Sequence, residues 1–181
     1  MIRKGTIASV ALTVILAAGL AHANPSTSTK GMDVTQQIHH EIVTLPYTGI
    51  WDWIDADLRP DGTVVLRGDV TTALTKSELE SRVRHIESVT TVIDDIRVLP
   101  LSQFDNQIRA GIYRSLFNFN SSLSRYAMGV NPSIHIIVAN GKVTLKGVVS
   151  NAMDRQLAGM AANRVFGVFS VDNELQVKAK S

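Results

Sequence analysis

Apolar and polar residues alternate in two pairs of short stretches, as is typical of β-strands with one buried face. The first pair covers residues 53–58 and 63–70, with the turn Pro60-Asp61-Gly62 between them. The second pair begins with residues 134–138 and turns at Asn140-Gly141. This dipeptide favours a two-residue hairpin, because both turn positions need a positive φ. The pattern therefore predicts two antiparallel β-hairpins.

Apolar residues recur at helical spacing on both sides of each hairpin. Before the hairpins they are Ile38, Ile42 and Leu45, with Pro46 ending the helix, and then Ile108, Ile112 and Leu116. After the hairpins they are Leu79, Val83 and Ile86, in a helix that Thr75 and Glu78 open as a capping box, and then Leu157, Ala161 and Val165. Alternating residues at 91–99 and 170–178 predict a closing strand for each unit. Each unit therefore has the order αββαβ.

The two units are an internal repeat. The pattern D/N-G-x-V-x-L-x-G-x-V occurs at residues 61–70 and again at 140–149, an offset of 79 residues. The same offset carries Val89, Val92, Asp94, Ile96 and Val98 onto Val168, Val171, Asn173, Leu175 and Val177. The first helices are offset by only 70 residues, so the second unit has nine extra residues around positions 118–131. About five residues, 99–103, link the units, so they are expected to pack against each other.

These residues resemble the BON domain, a family named for osmotically inducible periplasmic proteins and nodulation proteins. The second unit matches the family pattern at Asn140, Gly141, Val143, Leu145, Gly147, Val149, Gly167, Val168, Val171, Asn173, Leu175 and Val177. The first unit departs from it at Ser88, where the family has Gly, and at Asp94, where it has Asn. The resemblance implies an α+β fold of two tandem αββαβ units, each a small mixed sheet with two helices packed on one face. It also implies a periplasmic protein without catalytic activity that attaches to membrane phospholipid.

The amino terminus predicts export. Arg3 and Lys4 precede an apolar stretch at about residues 7–20, and Ala21-His22-Ala23 forms a small-residue cleavage site. This predicts a signal peptide at residues 1–23 and a periplasmic location. The alternative, a membrane anchor, needs about 20 apolar residues. Residues 24–32 predict a flexible lead-in, residues 33–100 the first domain and residues 101–181 the second, called below the first and second repeats.

Charge distinguishes the repeats. The first has 12 acidic and 6 basic residues, a net charge of −6, and the second has 4 acidic and 9 basic residues, a net charge of +5. Two interpretations are open: the acidic repeat docks on the basic one, or the basic repeat faces a membrane while the acidic one faces solvent or another protein.

No catalytic or metal-binding pattern is complete. His40-Glu41 resembles the start of a zinc-protease motif, but Thr44 lies where the second histidine is needed. Asp52, Asp55 and Asp57 lack the spacing of a calcium loop and predict a solvated strand face. The chain has no cysteine, which excludes thiol chemistry and disulfides. We therefore predict no enzyme, no cofactor and no metal, and the export signal argues against a nucleic-acid partner.

The first helix of the second repeat is the predicted lipid-binding surface. With Ile108, Ile112 and Leu116 in the core, Arg109, Tyr113 and Phe117 form a neighbouring row, with Arg114 and Phe104 close by. Arginine attracts anionic head groups, and aromatic rings suit the boundary with acyl chains. The predicted lipid-binding residues are Arg109, Tyr113, Arg114, Phe117 and Arg125. The alternative is that Tyr113 and Phe117 pack against the nine-residue insertion or the first repeat.

The predicted function is binding of anionic phospholipid membrane surfaces by the second repeat, in support of envelope integrity or the osmotic stress response. The alternative is a periplasmic adaptor of the cell envelope, in which the acidic first repeat and an exposed Trp51 or Trp53 contact a partner protein.

Overall fold

A computed structural model describes residues 33–129 and 131–179, which belong to one compact unit. The predicted signal peptide and lead-in lie outside the described residues. The first repeat contains α1 (Val34–Val43), β1 (Trp53–Leu58), β2 (Thr63–Val70), α2 (Ala73–Arg84) and β3 (Thr91–Val98). The second contains α3 (Gln103–Leu116), β4 (Ile134–Ala139), β5 (Lys142–Val149), α4 (Ala152–Asn163), β6 (Ser170–Asn173) and β7 (Gln176–Val177). The predicted order is confirmed, although the last predicted strand is divided into β6 and β7.

Each repeat has a mixed sheet with the hairpin's second strand in the middle. β1 pairs antiparallel with β2, and β2 pairs parallel with β3. The second sheet repeats this order, with β5 between β4 and the parallel β6 and β7. Each core combines one sheet face with both helices of its repeat, as Ile38, Leu66 and Leu79 illustrate in the first. The fold implied by the resemblance, a small mixed sheet with two helices on one face, is therefore confirmed.

Two helix details differ from the sequence prediction. The N-cap of α2 is Thr72, whose hydroxyl accepts a hydrogen bond from the Thr75 N–H at 3.1 Å. The predicted capping box at Thr75 is therefore wrong by three residues, because Thr72 is free to cap while Thr75 is buried one turn inside the helix. In α4, Ala158 and Ala162 are fully buried, whereas the predicted Leu157, Ala161 and Val165 are only partly buried.

A close backbone approach explains the glycine at the end of each hairpin. A Cβ at Gly147 would collide with the Ser133 carbonyl oxygen on the paired strand, and one at Gly68 would collide with that of Trp53. Both glycines have positive φ, 119° and 137°. The hairpin ends therefore need glycine, because a neighbouring strand, and not a helix, fills the space of the side chain.

The repeats are joined by residues 49–53, which lead into β1 and end at its first residue. The Ile136 N–H donates a 2.7 Å hydrogen bond to the Ile50 carbonyl, so this segment pairs with the edge of β4. Ile50 and Trp51 pack against the second core, and the rings of Trp53 and His135 meet edge to face at 5.2 Å. The expectation that the repeats pack against each other is confirmed.

Asp52 holds this joining segment in place. Its carboxylate accepts hydrogen bonds from the Gly49 N–H at 3.0 Å and from the N–H and hydroxyl of Thr71 at 2.6 and 2.9 Å. Asp55 and Asp57 are exposed, but Asp52 is buried. The predicted solvated face therefore excludes Asp52, because its oxygens find backbone donors in the interior.

Candidate functional site

Arg109 is buried and cannot face a membrane as predicted. Only 6 % of its surface is exposed. Its guanidinium donates hydrogen bonds to Asn106 Oδ1 at 2.6 Å and to the Val138 carbonyl at 2.7 Å. Burial lowers the pKa of Arg109, while the carboxylates of Asp105 and Asp52 act in the opposite direction. Arg109 is thus a structural residue that links α3 to β4.

Tyr113 and Phe117 lie on the flank of α3 that meets the first repeat. The Tyr113 ring lies 5.9 Å from the Trp51 ring and 5.2 Å from the Phe117 ring. Phe117 is partly buried against the second core, and Tyr113 keeps 41 % of its surface exposed. Tyr113 therefore packs against the first repeat, as the alternative interpretation expected, while Phe117 packs against the second repeat's own core. Trp51 and Trp53, which the adaptor hypothesis placed on the surface, are partly buried at the join.

The two remaining predicted arginines differ from each other. Arg125 forms a salt bridge with Asp154 at 2.5 Å and lies 4.8 Å over the Tyr126 ring. Its charge is therefore neutralised within the second repeat. Arg114 is exposed on α3, and among residues 33–129 and 131–179 it has no salt-bridge partner. Arg114 is thus the predicted base that is free to meet a ligand.

Three phenylalanines form an exposed surface at one end of the second repeat, here called the phenylalanine patch: Phe104, Phe166 and Phe169. They are 51 %, 96 % and 79 % exposed. The Phe104 ring lies over Gly167, where a Cβ would come within 2.9 Å of the Phe104 Cζ. Phe104 Cε1 and Phe169 Cβ both lie within 4 Å of the place that a Gly141 Cβ would take. The patch therefore combines α3, the hairpin turn and the loop after α4.

Hydrogen bonds hold the base of this patch. Both oxygens of the buried Asp105 accept from the hairpin turn, from the Asn140 N–H at 2.9 Å and the Gly141 N–H at 2.8 Å. The Phe169 N–H donates to the Gly141 carbonyl at 2.9 Å. The phenylalanines consequently project from a fixed backbone, so their exposure is a property of the folded domain.

The first repeat has polar residues in place of two of the three phenylalanines. With the offset of 79 residues, Phe166 corresponds to Glu87 and Phe169 to Thr90, and both are exposed. Gly167 corresponds to Ser88. Sequence reasoning noted Phe104 but missed the other two rings. The available signal was that Phe166 and Phe169 replace polar residues of the other repeat at positions outside the apolar pattern of helix and strand.

The patch lies on the opposite flank of α3 from the predicted aromatic row. Tyr113 lies nine positions after Phe104, and at about 100° per residue the two side chains lie about 180° apart around the helix. Arg114 lies between these flanks on the solvent side of α3. Lys142 follows the hairpin turn and Arg164 precedes Phe166 by two residues, and both are exposed. Lys142 and Arg164 are thus exposed bases close in sequence to the patch, and Arg114 is exposed about 15 Å along α3 from Phe104.

A BON domain family model matches residues 53–100 and 120–179. The chain belongs to the BON domain family. The BON domain is generally a non-catalytic binding domain, and the family is known for phospholipid binding and for stress-related proteins of the cell envelope. BON domain proteins are often periplasmic. The two matched segments contain both hairpins and begin after α1 and α3, so the first helices add to the matched part of each BON domain.

Solved structures with low similarity also align with this BON protein. CdsD, a structural protein of the type III secretion system of Chlamydia trachomatis, aligns over 83 % of this chain and 94 % of its own, with 15 % identity and a TM-score of 0.34. The C-terminal domain of CdsD aligns over 82 % of this chain and 98 % of its own, with 16 % identity and a TM-score of 0.30. No curated protein matches.

One departure from the BON pattern in the first repeat, Asp94 in place of Asn, is only partly compensated. Asn173 donates through its side-chain amide to the Arg155 carbonyl at 2.7 Å. Asp94, its counterpart, cannot donate there, and Lys76, the counterpart of Arg155, lies 3.6 Å from its carboxylate. The Asp94 Oδ1 also accepts from the Ile96 N–H at 2.9 Å, but Oδ2 is buried without a partner in the described part of the chain.

None of the helices within residues 33–129 and 131–179 is long and apolar enough to cross a bilayer. Over those same residues, no group of three or more histidine, aspartate or glutamate side chains is arranged to hold a metal ion.

Proposed function

We propose that this protein is a non-enzymatic periplasmic protein that binds anionic phospholipid surfaces through its second BON domain and supports envelope integrity under osmotic or other stress. The phenylalanine patch carries the proposal, because three neighbouring phenylalanines project into solvent from a fixed backbone. The family's association with phospholipid and envelope stress supports it. The predicted signal peptide at residues 1–23 supports the periplasmic location.

The chemistry of the patch suits the boundary between head groups and acyl chains. Phenylalanine rings gain by leaving water for the acyl boundary. Lys142, Arg164 and Arg114 would contact the anionic head groups, each contributing about 1 kcal/mol near a charged surface. The second repeat has a net charge of +5 and the first a net charge of −6, so only the second is attracted electrostatically. Attachment by these forces is weak and reversible.

The proposed membrane contact is the phenylalanine patch and not the aromatic row that the sequence predicted on α3. Arg114 stays in the contact set. Arg109 leaves it because it is buried, and Arg125 because Asp154 neutralises it. Tyr113 leaves it because it packs with Trp51 at the join of the two repeats, and Phe117 leaves it because it packs with Tyr113 and the second core.

Vesicle sedimentation tests the proposal in the full chain. The double substitution Phe166→Glu with Phe169→Thr gives the patch the residues of the first repeat. We expect it to reduce binding to anionic vesicles at least tenfold without lowering Tm, because both side chains are exposed. Binding of the unsubstituted protein should fall as salt rises, since charges are screened beyond a Debye length of about 8 Å at physiological ionic strength.

The matched control changes exposed apolar residues of the first repeat to the same residue types. Leu74→Glu with Ile93→Thr should bind vesicles like the unsubstituted protein, because neither residue belongs to the patch. Equal losses in both double variants, or no binding of the unsubstituted protein at low salt, would contradict lipid binding by the patch.

A further inference from the structure

Each repeat has a groove between its first helix and the free edge of its first strand, here called the edge groove. In the second repeat, between α3 and β4, the chain fills this groove with residues 49–51. The Ile50 carbonyl accepts from the Ile136 N–H at 2.7 Å, and Ile50 and Trp51 pack against the second core. These residues belong to a turn, closed by the Asp52 N–H and the Gly49 carbonyl at 3.1 Å, so the chain already places one β-branched and one aromatic side chain in an edge groove with one backbone hydrogen bond to its strand.

In the first repeat the edge groove is an open cavity of about 490 Å³. Ile38, Ile42 and Val43 of α1 form one wall, and Ile54, Ala56 and Leu58 of β1 form the other. Pro132 and His135 of the second repeat close one end. A volume of this size can hold several apolar side chains or a small ligand.

Repeat positions show that the filled groove and the cavity are equivalent. Ala56 pairs with Leu66, and Ile136 pairs with Leu145. Leu66 and Leu145 are the same repeat position, so Ala56 is the counterpart of Ile136. On the helices, the offset of 70 residues makes Val43, which lines the cavity, the counterpart of Tyr113, which contacts Trp51.

The backbone of β1 is correctly phased to accept another strand. The Arg59 N–H donates to the Thr63 carbonyl at 2.8 Å, so Arg59 faces β2. The backbone N–H and C=O groups of successive residues alternate in direction along an antiparallel pair. The backbone groups of Asp57 therefore face β2, and those of Ala56 and Leu58 face outward. β1 is an edge strand of its sheet. The outward groups of β1 therefore lie along the cavity that Ala56 and Leu58 line.

We propose that the first edge groove binds an extended peptide segment of a partner protein, which adds as a strand to β1 and places a β-branched and an aromatic side chain against α1. Strand addition of this kind gives affinity through the main chain and selectivity through side-chain pockets. The partner segment carries basic residues beside its apolar pair, because exposed Asp55 lines the groove and the first repeat has a net charge of −6. This site is separate from the phenylalanine patch.

The test uses the full chain and a capped peptide, Lys-Gly-Ile-Trp-Lys, that carries the apolar pair of the filled groove with basic ends. We expect saturable changes in the NMR amide signals of Ala56, Leu58 and Val43, and slower hydrogen exchange at the Ala56 N–H. The control peptide Lys-Gly-Gly-Gly-Lys should leave these signals unchanged. The absence of saturable changes with millimolar Lys-Gly-Ile-Trp-Lys would overturn the proposal.

A substitution pair at Ala56 tests strand addition itself. Ala56→Pro removes the outward N–H on an edge strand, where proline is tolerated, and should weaken peptide binding at least tenfold. Ala56→Ser keeps the N–H and should bind like the unsubstituted protein. If Ala56→Pro is folded and binds equally well, strand addition is wrong. If Ala56→Pro does not fold, Val43→Lys, which places a charge in the groove wall, must abolish binding for the proposal to stand.

Decanoate tests the alternative ligand, a lipid acyl chain. If decanoate shifts the amide signals of Ala56 and Leu58 and the peptide does not, the groove is an acyl-chain site and the proposal is wrong.

Discussion

Asp94 and Asn173 occupy the same repeat position on the closing strand, where each side chain contacts the second helix of its repeat. Asn173 satisfies two backbone groups, since its amide donates to the Arg155 carbonyl and its oxygen accepts from the Leu175 N–H at 3.3 Å. Asp94 satisfies only the strand N–H and leaves one buried oxygen without a partner. A buried polar atom without a partner destabilises the folded state by roughly 1–3 kcal/mol. The side chain at this position therefore makes fewer hydrogen bonds in the first repeat than in the second.

Reciprocal substitutions should therefore change stability in opposite directions. Asp94→Asn should raise the free energy of unfolding by about 1 kcal/mol, because it replaces an unpartnered acceptor with a donor, and the Lys76 ion pair that it removes is partly exposed and contributes little. Asn173→Asp should lower it by a similar amount. Urea unfolding measures both. A destabilised Asp94→Asn would show that the Lys76 pair is the stronger contribution.

At this scale, sequence reasoning succeeded for apolar residues and failed for polar residues in the interior. Ile108, Ile112 and Leu116 are buried as their spacing predicts. Arg109 was placed on the surface because it is charged, and its burial depends on reaching the Val138 carbonyl of a distant strand. No local pattern contains that information. The phenylalanine patch was missed for the same reason, since Phe166 becomes exposed through the conformation of a loop.

At the scale of elements, the joining segment, residues 49–53, is a short piece of structure in addition to the predicted helices and strands. The sequence predicts both hairpins and all four helices, because each depends on local periodicity and turn residues. It does not show that Ile50 pairs with β4, because that contact joins positions 86 residues apart. The nine-residue insertion forms a short 3-10 helix, Ser122–Ala127, with buried Leu123 and Tyr126. The insertion therefore adds Leu123 and Tyr126 to the core of the second repeat.

Removal of the Trp51 ring should destabilise the second repeat, although Trp51 belongs to the first. Trp51→Ala should lower the free energy of unfolding by about 2 kcal/mol, less than the 3–5 typical of a fully buried tryptophan because Trp51 is only partly buried. Phe119→Ala is the matched control, since Phe119 is fully exposed in the second repeat, and it should change stability by less than about 0.5 kcal/mol. Circular dichroism during urea unfolding measures both. Equal effects would mean that Trp51 does not contribute to the second core.

At the scale of the whole molecule, the repeats share a fold but differ in the surfaces they present. The second presents an apolar patch with exposed bases close in sequence, and the first presents an apolar groove that Asp55 also lines. The joining segment keeps both repeats in one unit, so a membrane contact and a partner contact can occur on the same molecule. His135 lies in this join, where its Nδ1 is 3.3 Å from the Gly49 carbonyl and its ring contacts Trp53.

The join should weaken in mild acid. Burial lowers the pKa of His135 from its ordinary value of 6.5, although hydrogen bonds and Asp52 act in the opposite direction. The folded state therefore favours neutral His135, and the unfolded state takes up its proton first as pH falls. Stability associated with this residue is present above pH 6.5 and is lost as pH falls below it toward the lowered pKa.

Thermal unfolding between about pH 7 and about pH 5 measures this effect. Tm should fall with pH in the unsubstituted protein and fall less in His135→Gln, which has no titrating ring. The exposed His40→Gln should keep the full pH dependence. If His135→Gln and His40→Gln behave alike, titration of the join is not the cause.

The hydrogen bond between Ile50 and Ile136 also sets an order of events during synthesis of the chain. Residue 136 leaves the ribosome 86 residues after residue 50. Until then, Ile50 and Trp51 have been made but the strand and core that receive them have not. A nascent chain, or one cut short before β4, therefore carries an apolar dipeptide in water beside an otherwise complete first hairpin. Such a chain is more exposed to aggregation and to chaperones than the finished protein.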